Sequence, residues 1–319
     1  MFKIHNHTNK SLIILDVVNL VSNRFDKNLL KGLDDYRIIL THGVIGELIF
    51  LIENDCFGLD KSKIILCCNN VQTTSFFIQN GFVAHTISEY IFSDDDLYQI
   101  DYKSEKEYDC IFPGRPAKKH GLFLNKYKNN ILTLCNLPNY PIHRKEVVSY
   151  YNKSKCGLMT TESEGSCLSV GEMLLCGLPI ISVKIAKSEQ NLYYPINKKS
   201  YESTYDLVLP NTLGGRELWL DSNNSIICNR NDNSIDNSIS LLLEKKYDSS
   251  KIRNDFLAKL FKERINFLFL LKYICDNLSI SFNESLLCNI TNLPYGNSTI
   301  DSTEWKLVIK YFFEVNNYN

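Results

Sequence analysis

Residues 156–183, CGLMTTESEGSCLSVGEMLLCGLPIISV, carry the pattern that decides the fold of this chain. The run Cys156–Met159 predicts a buried strand, Thr160–Gly165 a loop, and Ser166–Cys176 a helix. The turn Gly177-Leu178-Pro179 predicts the end of that helix, because glycine is favoured just after a helix and proline cannot continue one. A second strand follows. This order of strand, loop, helix and strand is typical of a parallel α/β sheet.

Apolar runs separated by polar segments of about helix length recur on both sides of this stretch, which favours alternating strands and helices. A chain of 319 residues is long enough for two α/β domains. The predicted strands of the first third are Leu12–Leu15, Arg37–Leu40, Ile64–Cys67 and Phe82–Ala84. Those of the second series are Asp109–Phe112, Ile131–Leu134, Cys156–Met159, Pro179–Val183, Asp206–Leu209 and Ser225–Cys228.

Composition and helix periodicity suggest the domain boundaries. Lys103–Tyr108 is charged and poor in apolar residues, which predicts a linker. Apolar spacing predicts helices over Ile235–Glu244 and Ile252–Leu271, and Trp305–Phe313 is apolar enough to pack as a helix or a strand. We therefore predict an N-terminal Rossmann-like domain over 1–105, a C-terminal one over 106–250, and helices over 251–319 that pack on the domains or bridge them.

Charge and cysteine placement argue against two classes of protein. The formal net charge of -1 disfavours a nucleic-acid partner, because phosphate neutralisation needs clustered lysine and arginine in excess. The chain has 11 cysteines but no C-x-x-C pair of the kind that places two thiolates around zinc. The cysteines are therefore expected to be buried free thiols in a reducing compartment.

The first residues and the most apolar segment bear on localisation. Met1–His7 opens no signal-peptide pattern. Ile265–Cys275 contains Lys272 and is far short of the roughly 20 residues that cross a bilayer. We therefore expect a cytoplasmic protein, which could still dock against a membrane surface.

Two glutamates flank the start of the predicted helix. In an open α/β sheet ligands collect at the carboxyl ends of strands, and Glu164 and Gly165 fall there. The N–H groups and partial positive charge of the helix start, near Gly165 and Ser166, can hold a diphosphate. Carboxylates accept hydrogen bonds from hydroxyls, so Glu164 can reach a sugar and Glu172 a ribose. By itself, this spacing is also that of a surface glutamate pair.

This stretch resembles the large retaining family of GT-B glycosyltransferases usually numbered four. The family signature is an E-x7-E pair within strand, loop and helix, followed by a turn of a small residue, glycine, any residue and proline. Glu164, Gly165, Glu172, Gly177 and Pro179 stand in register with it. The resemblance implies an α/β protein of two Rossmann-like domains whose parallel sheets face a cleft. The second domain would bind a nucleotide-sugar and the first an acceptor.

A second segment, YDCIFPGRPAKKHG over 108–121, is similar to the strand and loop that open the family's second domain. There the family has Gly-Arg followed by a lysine, and both side chains contact the donor diphosphate. Arg115 matches the arginine. The loop is shorter here, and either Lys118 or Lys119 could supply the amine. Such a pair would stabilise the charge that builds on a departing diphosphate. A solvated basic loop is the alternative.

A third segment, GGRELWLDSNNSIICN over 214–229, is similar to the family's glycine-rich loop and the strand after it. The Gly-Gly-Arg variant resembles a small bacterial and viral subgroup. Gly214 and Gly215 would let the backbone approach the donor closely, and Arg216 could replace a donor or acceptor contact. Residues 185–213 intervene where the family commonly has a short link, and a plain β-turn at the glycines is the alternative.

The predicted first domain adds one candidate. Thr41-His42-Gly43 follows a predicted strand, where the family often has a histidine or a glycine-rich loop that faces the sugar. His42 could then bond the donor sugar or the acceptor. A structural histidine with satisfied hydrogen bonds is the alternative.

The resemblance implies a glycosyltransferase that moves a sugar from a nucleotide-sugar to a hydroxyl of a glycan or lipid-linked glycan. It also implies retention of configuration and no required metal. The nucleotide-sugar is a substrate, so no cofactor is expected. Arg115 and Lys119 would stabilise the leaving diphosphate, Glu172 would hold the ribose, and Glu164 would orient the sugar.

Other functions fit part of the same pattern. Asp94-Asp95-Asp96 matches the Asp-x-Asp motif of metal-dependent glycosyltransferases of the other major fold, although Ser93 with these acids also looks like a helix cap. An epimerase or phosphorylase on the same scaffold, and a non-catalytic nucleotide- or glycan-binding subunit, are further alternatives. No G-x-G-x-x-G or G-x-S-x-G motif occurs, which argues against a dinucleotide enzyme and a hydrolase.

Overall fold

The computed structural model describes residues 2–5, 9–16, 20, 25–43, 51, 54–114, 130–160, 168–184, 216, 218–284, 287 and 302–316, and for residues 2–5, 42, 43 and 72 it describes the backbone alone. The chain forms two compact units. The first unit comprises Met1–Asp94 and Leu260–Asn319, and the second unit comprises Asp95–Lys259. The charged segment Lys103–Tyr108, predicted as a linker, belongs to the second unit.

The sheet of the first unit has five described strands in the order β1-β2-β3-β4-β5. Strand β1 pairs antiparallel with β2, and the other neighbours are parallel. Strands β2 to β5 therefore lie side by side in chain order. The strands are β1 Phe2–His5, β2 Lys10–Asp16, β3 Asp35–Gly43, β4 Ile64–Cys68 and β5 Val83–Thr86.

The sheet of the second unit has five described strands in the order β10-β9-β8-β6-β7, and every neighbouring pair is parallel. Its first strand in the chain, β6, lies between the second, β7, and the third, β8. Counted from one edge, the order is 2-1-3-4-5, a doubly wound arrangement that reverses direction at β6. The strands are β6 Tyr108–Phe112, β7 Ile131–Thr133, β8 Ser154–Met159, β9 Ile180–Val183 and β10 Ser225–Cys228.

Six α-helices lie within the described residues. Four of them begin at side-chain caps that accept a hydrogen bond from a backbone N–H of the first turn, namely Asn70, His143, Asn231 and Ser302. The helices are α1 Val71–Gln79, α2 Arg144–Asn152, α3 Leu168–Leu175, α4 Asp232–Glu244, α5 Ser249–Leu278 and α6 Thr303–Val315.

Each unit buries its own apolar cluster. In the first unit, Phe267 and Leu271 of α5 and Phe312 of α6 pack with side chains of the central strands, such as Leu12 and Ile39. In the second unit, Ile235, Ile239 and Leu242 come from α4 at helical spacing and pack on strands β6, β8 and β9. Burial of one such side chain stabilises the folded state by roughly 1.5–3 kcal/mol.

The α/β class with parallel sheets is confirmed. Every strand predicted within the described residues is present, although β5 is displaced by one residue from the prediction Phe82–Ala84. Trp305–Phe313 lies within helix α6. The predicted strand Asp206–Leu209 lies outside the described residues.

Two local outcomes differ from the predictions, and a third confirms one. Strand β1 was not predicted, because four residues are too short for a clear apolar period. The helix expected after Ser93 does not form: Ser93 follows a short 3-10 helix, Glu89–Phe92, and Asp95 and Asp96 lie in a turn. The nine described cysteines are free thiols, and all but Cys135 are buried, as predicted. None of the described helices combines the length and apolarity that crossing a bilayer requires.

Candidate functional site

A pocket of the second unit opens beside the strand at which the sheet reverses direction. Pro113 follows the end of β6, Leu134 follows the end of β7, and both line the pocket. Ser169 and Glu172 line it from α3, the helix that follows β8. In doubly wound sheets, ligands bind outside the carboxyl ends of the strands at such a reversal. The position of the pocket therefore follows from topology alone.

The pocket has a volume of about 170 Å³ and a mixed lining. Aromatic and apolar side chains supply most of the wall, and the charged side chains among its described lining residues are Arg144 and Glu172. The volume is below the roughly 300–1,000 Å³ of sites that enclose a drug-sized ligand, so the described walls can hold only part of a nucleotide. The apolar and aromatic lining residues are Tyr98, Pro113, Leu134, Tyr140, Pro141, Ile142, Val147 and Tyr151.

Glu172 is the predicted donor-binding residue that the structure places in this pocket. Its Oε1 accepts a hydrogen bond from the Tyr98 hydroxyl at 2.6 Å, and its Oε2 accepts one from the Tyr151 hydroxyl at 2.9 Å. A carboxylate has about four acceptor positions, so two remain after these bonds. Glu172 is half-buried and lines the cavity. It can therefore accept two further hydrogen bonds, as a pair of ligand hydroxyls would donate.

The two tyrosines are neutral donors throughout the working pH range. Burial raises the pKa of Tyr98, and the neighbouring Glu172 carboxylate raises it further. Burial likewise raises the pKa of Tyr151 well above its ordinary value, again with Glu172 adding to the effect. A proton on each tyrosine oxygen is what a carboxylate acceptor requires.

Two glycines lie beside α3, the helix that carries Glu172. A Cβ on Gly157 of β8 would overlap the end of the Met173 side chain, which occupies the space over this glycine. Gly177 has a φ of 67°, and the N–H of Leu178 bonds the carbonyl of Met173 at 2.9 Å. These contacts end the helix at the predicted glycine turn.

Arg144 is a pocket residue that the sequence analysis did not identify. Its position at the start of a helix is one where the helix dipole disfavours a base. It is the first residue of α2, and a helix start carries partial positive charge that favours acids over bases. Its side chain lines the pocket. The guanidinium and the helix start both carry positive charge on this side of the cavity. The signal in the sequence was a basic residue at the start of a helix.

Two other arginines lie at the carboxyl edge of the same sheet. Arg230 follows β10, and its Nε and Nη1 donate to the carbonyls of Lys184 and Thr160, each at 3.2 Å. Those carbonyls follow the ends of β9 and β8, so Arg230 ties the two strand ends together. Arg216, a predicted donor-binding residue, is fully buried, and its Nη2 donates to the carbonyl of Val183 at 3.3 Å.

Most of the predicted site residues lie outside the described part of the chain. These residues are Arg115, Lys118, Lys119, Glu164, Gly165, Ser166, Gly214 and Gly215. Their sequence neighbours Pro113 and Ser169 line the pocket. The roles assigned to the eight residues stay predictions.

The remaining candidates are placed as follows. The backbone of His42 belongs to β3 in the first unit, and its side chain lies outside the description. Asp95 of the Asp94–Asp96 run is fully buried. In the described ranges, no group of three or more histidine, cysteine, aspartate or glutamate side chains is arranged to hold a metal ion.

Comparison of the chain with protein-family models and with curated proteins gives no match. The functional argument therefore depends on the pocket, its side chains and the sequence motifs.

Proposed function

We propose that the chain is a glycosyltransferase of GT-B type that transfers a sugar from a nucleotide-sugar to a hydroxyl acceptor. The acceptor would be a glycan or a lipid-linked glycan. The reaction would retain the anomeric configuration and would not require a metal. In this reaction the bond between the anomeric carbon and the diphosphate oxygen breaks, a bond to the acceptor oxygen forms, and the acceptor hydroxyl passes its proton to the leaving diphosphate.

One observation carries the proposal. Glu172, the second glutamate of the E-x7-E pair, lies in a pocket at the reversal point of a doubly wound parallel sheet. The motif and the topology are independent signals, because the first comes from residue spacing and the second from strand order. Both favour a nucleotide at this edge of the second unit.

The chemistry of the pocket is consistent with a nucleotide. Apolar and aromatic walls suit a base, the half-buried carboxylate of Glu172 suits ribose hydroxyls, and the guanidinium of Arg144 suits a phosphate or a polar edge of the base. Arg115 with Lys119 or Lys118 would neutralise the leaving diphosphate, and Glu164 would orient the sugar. Gly165, Ser166, Gly214, Gly215 and Arg216 would complete the donor contacts.

The test is a panel of nucleotide-sugars that differ in base and sugar, incubated with the full chain and, in parallel, with a mixture of glycan acceptors. We expect one donor to release its nucleoside diphosphate and, with an acceptor, to form a glycoside. Glu164→Ala and Arg115→Ala should each reduce turnover by a factor of about 100. Glu162→Ala, two residues from Glu164 in the same segment, is the matched control and should retain turnover.

Three results would redirect the proposal. Donor binding without turnover would favour a non-catalytic subunit. An epimerised nucleotide-sugar, or a sugar phosphate formed with inorganic phosphate, would favour an epimerase or a phosphorylase. Turnover lost on chelation and restored by a divalent cation would favour the metal-dependent alternative. Equal turnover in wild type, Glu164→Ala and Arg115→Ala would overturn the assignment of the site.

A further inference from the structure

The bonds to Glu172 come from two separate parts of the second unit. Tyr98 lies 74 residues before Glu172 in the sequence and Tyr151 lies 21 residues before it. Tyr98 belongs to an irregular segment, whereas Tyr151 belongs to α2. Each hydroxyl bonds a different oxygen of the same carboxylate, which fixes both the position and the rotation of that group.

The segment that carries Tyr98 is itself held at several points. Asn152 of α2 donates to the Gln99 carbonyl at 2.9 Å and accepts from the Asp101 N–H at 2.8 Å. Arg253 of α5 donates to the Tyr98 and Leu175 carbonyls, the second of which ends helix α3. These hydrogen bonds to three helices restrict the movement of the irregular segment and of the tyrosine that it carries.

We propose that Tyr98 and Tyr151 are positioning residues that orient the Glu172 carboxylate so that its two remaining acceptor positions bind the paired hydroxyls of a ribose. This inference rests on the proposed function, because it takes the pocket as the nucleotide site. The tyrosines act through Glu172, and the selectivity they create is for ribose over 2′-deoxyribose.

The chemistry explains why two donors are needed. A carboxylate held by one hydrogen bond can rotate about its terminal torsion, which has broad minima. With a donor on each oxygen, rotation breaks both bonds, so the free acceptor positions stay at fixed directions. A 2′-deoxyribose lacks one of the two hydroxyls and leaves one position without a ligand donor.

A purely structural role would have a different signature. If the tyrosines only satisfied a buried acid, their removal would lower the stability of the unit but would weaken ribose and deoxyribose ligands by the same factor. The measurement that separates the two roles is therefore the ratio of affinities for a ribonucleotide and its 2′-deoxy counterpart.

The experiment uses the full chain with ADP, CDP, GDP and UDP, measured by isothermal titration calorimetry, and then the 2′-deoxy form of the tightest ligand. Wild type should prefer the ribonucleotide by about tenfold, the value of one good hydrogen bond to a charged group. Tyr98→Phe and Tyr151→Phe should each weaken ribonucleotide binding by about fivefold and bring the ratio toward one. Tyr102→Phe is the matched control: Tyr102 is exposed, its hydroxyl bonds Ser250, and it lies outside the pocket lining, so the ratio should not change.

Each outcome decides a different point. If wild type binds none of the four diphosphates, the proposed function fails and the inference fails with it. If wild type discriminates and both tyrosine variants keep the wild-type ratio, the inference alone is overturned. Should a tyrosine variant not fold, Glu172→Gln replaces one acceptor oxygen by a donor at nearly equal volume. It should lose the same selectivity, and an unchanged ratio in that variant would equally overturn the inference.

Discussion

The two units build similar parallel sheets but order their strands differently. In the first unit β2 to β5 follow one another across the sheet, whereas in the second unit β6 lies between β7 and β8. A reversal of strand order makes the neighbouring connections leave on opposite faces, and the gap between them is where ligands bind. Among the described residues, the pocket with Glu172 and Arg144 lies at that gap. Strand order therefore predicts which unit carries the site.

The two units also differ in the surroundings of a charged side chain that is removed from solvent. Arg264 of the first unit is fully buried, donates to the Ile91 and Ser93 carbonyls, and stacks on the Trp305 ring at 4.9 Å. Its contacts join α5 and α6 to the segment after β5. Glu172 of the second unit is half-buried and faces a cavity. We interpret the first as a packing residue and the second as a ligand-binding residue.

The largest expected effect is on ligand binding in the second unit. Glu172→Ala should weaken nucleoside diphosphate binding about 100-fold, because it removes a charged acceptor and frees two tyrosine hydroxyls to reorient. Titration calorimetry with the tightest diphosphate measures it. Glu244→Ala, an exposed glutamate near the end of α4, is the control. Equal diphosphate affinities in Glu172→Ala and Glu244→Ala would show that Glu172 is not a ligand-binding residue.

The next effect is on stability in the first unit. Arg264→Ala should destabilise the protein by about 2 kcal/mol, because two buried carbonyls lose a charged donor and Trp305 loses its stacking partner. The midpoint of urea unfolding measures this change. Lys262→Ala, exposed on the same helix, should stay near wild type. The affinity for the nucleoside diphosphate should be unchanged in folded Arg264→Ala. A loss of affinity in this variant would show that Arg264 also affects the ligand site.

A smaller effect is expected at the start of α2. Arg144→Leu should weaken nucleoside diphosphate binding about tenfold, since one cation beside the pocket is lost. Rising salt should reduce the difference in diphosphate affinity between Arg144→Leu and wild type, because screening weakens charge pairs. The adjacent Lys145→Leu is the control, since Lys145 is exposed and outside the pocket lining. Affinity that responds equally to both substitutions would indicate only a general charge effect.

The smallest effect concerns a surface charge cluster at the start of β3. Hydrogen bonds from Lys63, from the Tyr36 N–H and from Arg37 together lower the pKa of Asp35 from 3.8 to about 2, and the bond from Lys63 contributes most. A lowered pKa in the folded state contributes stability above pH 3.8, and that contribution is lost as the pH falls through about 2. Because the group is close to solvent, Asp35→Asn should cost only about 1 kcal/mol.

Urea unfolding at pH 6 and near pH 2 measures this effect. We expect the difference between wild type and Asp35→Asn to be present at pH 6 and to shrink near pH 2. Asp34→Asn, an exposed neighbour, is the matched control. A difference that is the same at both pH values would show that the charge of Asp35 is not its cause.

The sequence predicted the alternation of strands and helices well, but it did not predict which side chains surround Glu172. Apolar runs such as Ile64–Cys67 and Cys156–Met159 are local signals, and both lie inside strands. The end of α3 could be predicted because a positive φ after a helix favours glycine, and Gly177 stands at that position in the sequence. Tyr98 and Tyr151 could not be linked to Glu172, because neither has a local pattern and each lies many residues away in the chain. Arg144 had one local signal, a base at a helix start.

The sequence by itself determined the class of fold, the positions of strands and helices, and the E-x7-E spacing, because hydrophobic period, capping and turn chemistry act over a few residues. Only the tertiary structure decided that β6 lies inside its sheet, that a pocket opens there, and that two distant tyrosines hold one carboxylate. Those features depend on contacts between residues far apart in the chain, and no local propensity encodes such contacts.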